Sequence, residues 1–162
     1  MLLSCSTPSA LTGSSHANTP NVIPSLALIQ GASGMRVVRP TFLRAVAERV
    51  KAAGALLIAD EVMTGFGRTG TLFASQQAGI QPDLICLSKG LTGGFLPMGV
   101  TLAAERIFSA FVDSDPARTF YHGHSFTANP LGCAAALASL DLLEAQPQRY
   151  QTFEARHRPR LE

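Results

Sequence analysis

Two residues of this 162-residue chain combine reactive chemistry with a position that could use it: Asp60, closing the apolar run Leu56-Leu57-Ile58-Ala59, and Lys89, following Asp83 to Leu87. The first run reads as a buried parallel strand that delivers a carboxylate at its carboxyl end. The second reads as a short strand that delivers an amine. In an open α/β sheet those ends line the ligand crevice. An amine can form a Schiff base with an aldehyde, and a carboxylate can pair with a pyridinium nitrogen. These are the two groups that pyridoxal phosphate asks of its protein. An ordinary lysine amine is protonated at neutral pH, so desolvation or a nearby cation must free it before it attacks. On spacing alone Lys89 in a glycine loop reads better as a surface lysine, whereas a mere turn or helix cap at Asp60 would leave its charge poorly paired between apolar residues.

The elements that must position this pair follow from periodicity. Phe42, Leu43, Val46, Ala47 and Val50 recur at helical steps, with Thr41 available as cap and Gly54 as stop. Ala55 to Ala59 is the strand that presents Asp60. Gly65, Gly67 and Gly70 then demand a tight turn before a short helix around Leu72 to Ala78, which Gly79 ends. Asp83 to Leu87 presents Lys89, Met98 to Ala103 returns to the sheet, and Glu105 to Phe111 is a short helix. Asn129 caps and Pro130 opens a helix from Leu131 to Glu144. Strands alternating with helices predict an α/β domain with a mostly parallel sheet and flanking helices.

The stretch Asp60-Glu61-Val62-Met63-Thr64-Gly65-Phe66-Gly67-Arg68-Thr69-Gly70, then Pro82-Asp83-Leu84, then Ser88-Lys89-Gly90-Leu91-Thr92-Gly93-Gly94, resembles the core of the class-III aminotransferases, pyridoxal phosphate enzymes of fold type I. His122-Gly123-His124-Ser125-Phe126-Thr127-Ala128-Asn129-Pro130-Leu131 extends the resemblance, which runs from about Gln30 to Glu144. It implies that Lys89 is the Schiff-base lysine and that Asp60 pairs with the ring nitrogen. It further implies that Val62 packs on one face of the ring, though a β-branched core residue would look the same in sequence. Ser125 stands where the family usually has a threonine that contacts the cofactor phosphate bound in the other subunit, which implies a homodimer acting on an amino donor and a keto acceptor. Glu61 reads as a structural hydrogen-bonding residue, and Arg68 has no assigned role.

The resemblance covers less than half of a family subunit and places this chain in the middle of a large cofactor domain. Residues 22–162 read as that partial domain and residues 1–21 as a divergent, disordered segment rich in Ser, Thr, Pro and Asn. The phosphate-binding Gly-Ser turn and the aromatic residue that stacks on the cofactor lie upstream in the family. Tyr121 and Tyr150 do not stand where that aromatic is expected. The chain alone is therefore expected not to transaminate.

Composition narrows the remaining classes. A hydrophobic content of 46% supports one substantial core, and a net charge of +2 gives no reason to invoke nucleic acid or an anionic membrane surface. No apolar run approaches the roughly 18 residues of a membrane span, and Met1-Leu2-Leu3 does not begin a secretory signal, so the expected location is the cytoplasm. Cys5, Cys86 and Cys133 are an odd number without metal-ligand spacing, and the latter two read as small buried hydrophobes. His122 and His124 invite a metal reading that no carboxylate or cysteine at ligand spacing supports.

Overall fold

The computed structural model describes residues 26, 27, 29, 30, 34–152, 155, 156 and 159. The segment 1–21 and Cys5 lie outside the described residues. A short antiparallel hairpin comes first, β1 (Ile29–Gln30) against β2 (Arg36–Val37). It leads to α1 (Pro40–Ala52), which opens with a proline at its first turn. Arg39, and not Thr41, occupies the cap position, and no side chain caps the helix. Proline needs no partner for a missing N–H, so one orphan donor is absent from the outset.

The central sheet has the order β3 (Ile58–Asp60), β4 (Leu84–Leu87), β5 (Val100–Ala103). β3 and β4 run parallel, with Ile58 opposite Leu84 and Asp60 opposite Cys86. Leu26 adds a parallel bridge on the other side of β3, donating from its N–H to Ile58 O at 2.9 Å and accepting from Asp60 N–H at 3.0 Å. β5 departs from the parallel expectation. It pairs antiparallel with β4, from Leu87 opposite Val100 to Leu84 opposite Ala103. The connection over residues 88–99 holds only a 3-10 turn, Lys89–Thr92, where a parallel return would need a crossover of a dozen or more residues, usually helical. The sheet is thus mixed.

Between β3 and β4 lies α2 (Ser75–Ala78), ended by Gly79 at φ 64°. After β5 come α3 (Glu105–Phe108), continued as a 3-10 turn to Phe111, then α4 (Pro130–Ala145) and α5 (Gln148–Gln151). The expected cap of α4 is present: Asn129 Oδ1 accepts from Gly132 N–H at 2.7 Å.

Three apolar clusters hold these elements. One joins Leu87, Val100, Phe66 and Leu91 to Ala136, Leu140 and Leu143 of α4, and so surrounds the segment on either side of Lys89. A second joins Leu43 of α1 to Ala74 and Ala78, and a third joins Val50 of α1 to Ala55 and Leu57, with Leu26 and Ile80 packed against both. Arg44 ties α1 to α2 by donating to Ala78 O at 3.1 Å. Cys86 and Cys133 are half-buried within this framework, so neither is the fully buried hydrophobe its neighbours suggested.

Candidate active site

Asp60 ends β3, and Lys89 follows β4 by two residues. Because the two strands are parallel neighbours, about 4.8 Å apart in the hydrogen-bonding direction, both groups emerge at the same end of the sheet. The sheet therefore brings the carboxylate and the amine together although 29 residues separate them. Asp60 is half-buried and its Oδ1 accepts from Val62 N–H at 3.1 Å. Among the described residues Oδ2 has no hydrogen-bond partner. One oxygen thus fixes the carboxylate to the turn that follows it.

Lys89 is exposed, and its backbone sits at φ 44°, in the left-handed region. For a residue with a Cβ this conformation costs roughly 1–3 kcal/mol and persists only where the surroundings over-determine it. They do so here. Lys89 O accepts from Gly94 N–H at 3.1 Å, and Gly93 closes the 3-10 turn at φ 63°. Leu87, two residues before the lysine, and Leu91, two after it, are both buried in one core.

Glu61 explains how the turn after Asp60 keeps its shape. This side chain is 2% exposed, and its carboxylate accepts from Thr64 Oγ1–H at 2.5 Å, Ala74 N–H at 3.0 Å and Ser75 N–H at 2.7 Å. A buried carboxylate without such donors would be costly. With them it closes the loop 61–75, and the structural role expected for Glu61 is what the geometry shows. Asp83, for which no role was expected, does comparable work at the other end of the sheet. Its Oδ2 accepts from Leu57 N–H at 2.7 Å, and its Oδ1 pairs with Arg106. The signal was available in Pro82-Asp83-Leu84, where an acid precedes an apolar strand, but its partner lies 26 residues upstream.

The remaining candidates divide. Val62 stands two residues after Asp60, donates its N–H to the Asp60 carboxylate and is half-buried. Ser125 lies elsewhere, exposed on the turn 125–128 that leads into α4. Arg68 is exposed on the glycine-rich turn. His122 and His124 stack edge to face at 6.5 Å between ring centroids, and among the described residues no group of His, Cys, Asp or Glu could hold a metal ion.

A carboxylate and an amine at adjacent strand ends of a layered α/β sheet stand where such sheets bind ligands. The family model of class-III aminotransferases matches residues 15–159, and the chain belongs to that family. It is 66% identical over 135 residues to the adenosylmethionine-8-amino-7-oxononanoate aminotransferase of Synechococcus elongatus, covering 83% of this chain and 32% of the relative. It is 49% identical over 132 residues to the Geobacter sulfurreducens protein of the same name, covering 81% of this chain and 29% of the relative. Among solved structures, a thermostable (S)-enantioselective omega-transaminase from Thermomicrobium roseum superposes with a TM-score of 0.73 at 40% identity, over 80% of this chain and 28% of that one. The chain thus spans about a third of the length of the curated relatives it matches.

Membership implies pyridoxal phosphate, and the residues present fit its reactive end. Lys89 carries an exposed amine of the kind an aldehyde takes, Asp60 a carboxylate held through Oδ1 alone among the described residues, and Val62 a half-buried apolar side chain two residues on.

Proposed function

We propose that this chain is the central part, residues 22–162, of the cofactor domain of an aminotransferase that carries an amino group from adenosylmethionine to 8-amino-7-oxononanoate. That reaction is the diaminopelargonate-forming step of biotin synthesis. The observation that carries the reading is the 66% identity to a relative of that name, set against 40% to the omega-transaminase. Pyridoxal phosphate, when bound, supplies an aldehyde to join to an amine and a ring that withdraws electrons from the substrate carbon. Lys89 Nζ would hold the cofactor covalently and later carry a proton between substrate and cofactor carbons. Asp60 Oδ2 would keep the ring nitrogen protonated, and Val62 would fix the ring plane by apolar contact. Ser125, on its exposed turn, would reach the phosphate held by a second subunit of a homodimer. The setting for this chemistry is the cytoplasm, and no helix among the described residues is long and apolar enough to cross a membrane.

A second reading has its own support: the 40% identity to the omega-transaminase makes an ω-amino acid:pyruvate exchange the competing reaction. A transplant separates the two. The Synechococcus elongatus relative, with its matching segment replaced by the one from this chain, should use adenosylmethionine and restore growth without biotin to a strain lacking that enzyme. A transplant that folds, binds the cofactor and accepts alanine in place of adenosylmethionine would favour the second reading.

A further inference from the structure

Besides Lys89, Phe66 holds a left-handed backbone at this end of the sheet, at φ 61°. It lies on the turn that follows Asp60, in the sequence Gly65-Phe66-Gly67. The two residues meet through Gly90. A Cβ added at Gly90 would stand 2.9 Å from both Cβ and Cδ2 of Phe66, closer than real Cβ atoms come. The ring therefore sits hard against the Gly90 backbone, and the carbonyl of Gly90 also accepts from Ser139 Oγ of α4 at 3.2 Å. Phe66 is itself held, edge to face on Phe73 at 6.0 Å and within the core that contains Leu87 and Leu91.

We infer that Phe66 is a positioning residue for Lys89: its ring, seated on Gly90, ties the turn that follows Asp60 to the loop that carries the amine and fixes their separation. This rests on the reading of Lys89 as the reacting amine. The sequence Gly65-Phe66-Gly67 serves that purpose chemically. The flanking glycines let the turn reverse tightly, and the large flat side chain bridges to a position where any Cβ would push it away. Two residues in left-handed conformation, one on each side of the contact, form the paired strain expected where geometry is fixed for function.

The chain has two lysines, Lys51 and Lys89, so trapping can be read residue by residue. Lys51 is exposed near the end of α1 and serves as the internal reference. The full chain is incubated with pyridoxal phosphate, reduced with borohydride and mapped by peptide mass. The expected ratio of adduct at Lys89 to adduct at Lys51 is about ten to one, as a positioned group should give. F66G, which suits the backbone at φ 61° but removes the ring, and G90A, which forces the ring away, should each bring the ratio near one. F66L should keep most of the preference. In the F66G background G90A should have no further effect, since contacting residues couple. Amide exchange in β4 and β5, measured on the same samples, should stay unchanged.

An unchanged ratio in F66G and G90A, with the sheet still protected, overturns the role of Phe66 and leaves the reading of Lys89 standing. A ratio that falls only together with sheet protection overturns it too, because Phe66 would then be packing alone. Equal trapping of both lysines in the unmodified chain overturns this inference, while an adduct that survives Lys89→Ala in the transplanted enzyme overturns the reading of Lys89.

Discussion

Residues 57–100 and residues 109–128 each carry part of the candidate cofactor site, yet their physical support differs. In the first, Asp60 and Lys89 stand at the ends of paired strands, Glu61 receives three hydrogen bonds in a 2% exposed environment, and Leu87 and Leu91 are buried around the amine. In the second, which carries Ser125, every residue is exposed. Within it Phe111, Phe120, His122, His124 and Phe126 follow in a chain of ring contacts with centroids 5.4–6.5 Å apart. The end of the site that would hold the cofactor's ring and aldehyde is thus fixed by this chain's own core. The residue assigned to the phosphate lies on a surface that the described residues do not cover, which suits a group that serves a second subunit.

The largest expected effect tests the first region directly. In the transplanted enzyme Lys89→Ala should eliminate turnover and the borohydride-stable adduct, while leaving the sheet folded, because the exposed lysine carries no core contact. A reducible adduct that survives at the same peptide would remove Lys89 from the role. Asp60→Asn should still allow the adduct but slow turnover by about 10²–10³-fold, the order lost when one electrostatic stabiliser is removed. An amide cannot hold the ring nitrogen proton as a carboxylate does. Near-normal rates in this variant would break the pairing.

A middle-sized effect sharpens the contrast in packing. Leu87→Ala removes a side chain that is 4% exposed and should cost about 2–4 kcal/mol in urea unfolding. Phe126→Ala removes a larger side chain that is 76% exposed, and should change stability by less than about 0.5 kcal/mol. Equal costs would mean that segment 109–128 is packed in solution after all.

How much of this was legible in the sequence follows the same division. The strand ends carrying Asp60 and Lys89 were readable because apolar runs with a charged terminus have few alternatives in an α/β pattern. The Asn129-Pro130 helix start was readable because its cap is a local hydrogen bond. β5 was found, but not its direction, since an apolar run carries no record of which way its partner points. The cap of α1 was misplaced because Thr41 and Pro40 compete for the same turn, and proline's fixed φ wins the first position. The hairpin β1–β2 has two residues per strand, too few to show alternation. Long-range contacts were out of reach. Nothing near Gly90 announces that Phe66 lies against it, and nothing near Asp83 names Leu57 as its partner.

The smallest expected effect lies in the exposed segment and tests whether its local order is real. Asp113 is held below the ordinary aspartate value of 3.8, first by the hydrogen bond from the Asp115 backbone and then by Arg118, which donates to Oδ2 at 2.7 Å. A carboxyl group lowered in the folded state adds its stabilisation above the unfolded value and loses it as pH falls through the lower, folded one. The contacts of Asp113 with Asp115 and Arg118, which hold residues 113–118 together, should therefore persist as pH falls past 3.8 and open only below it. Because the group is fully exposed, global stability should not register the change. Carbon-detected NMR titration should give Asp113 a midpoint below the ordinary value of 3.8, and Arg118→Ala should move it upward. A midpoint already at the ordinary value would show that these contacts are absent in solution, leaving the segment that carries Ser125 without the local order assigned to it and widening the contrast with the buried half of the site.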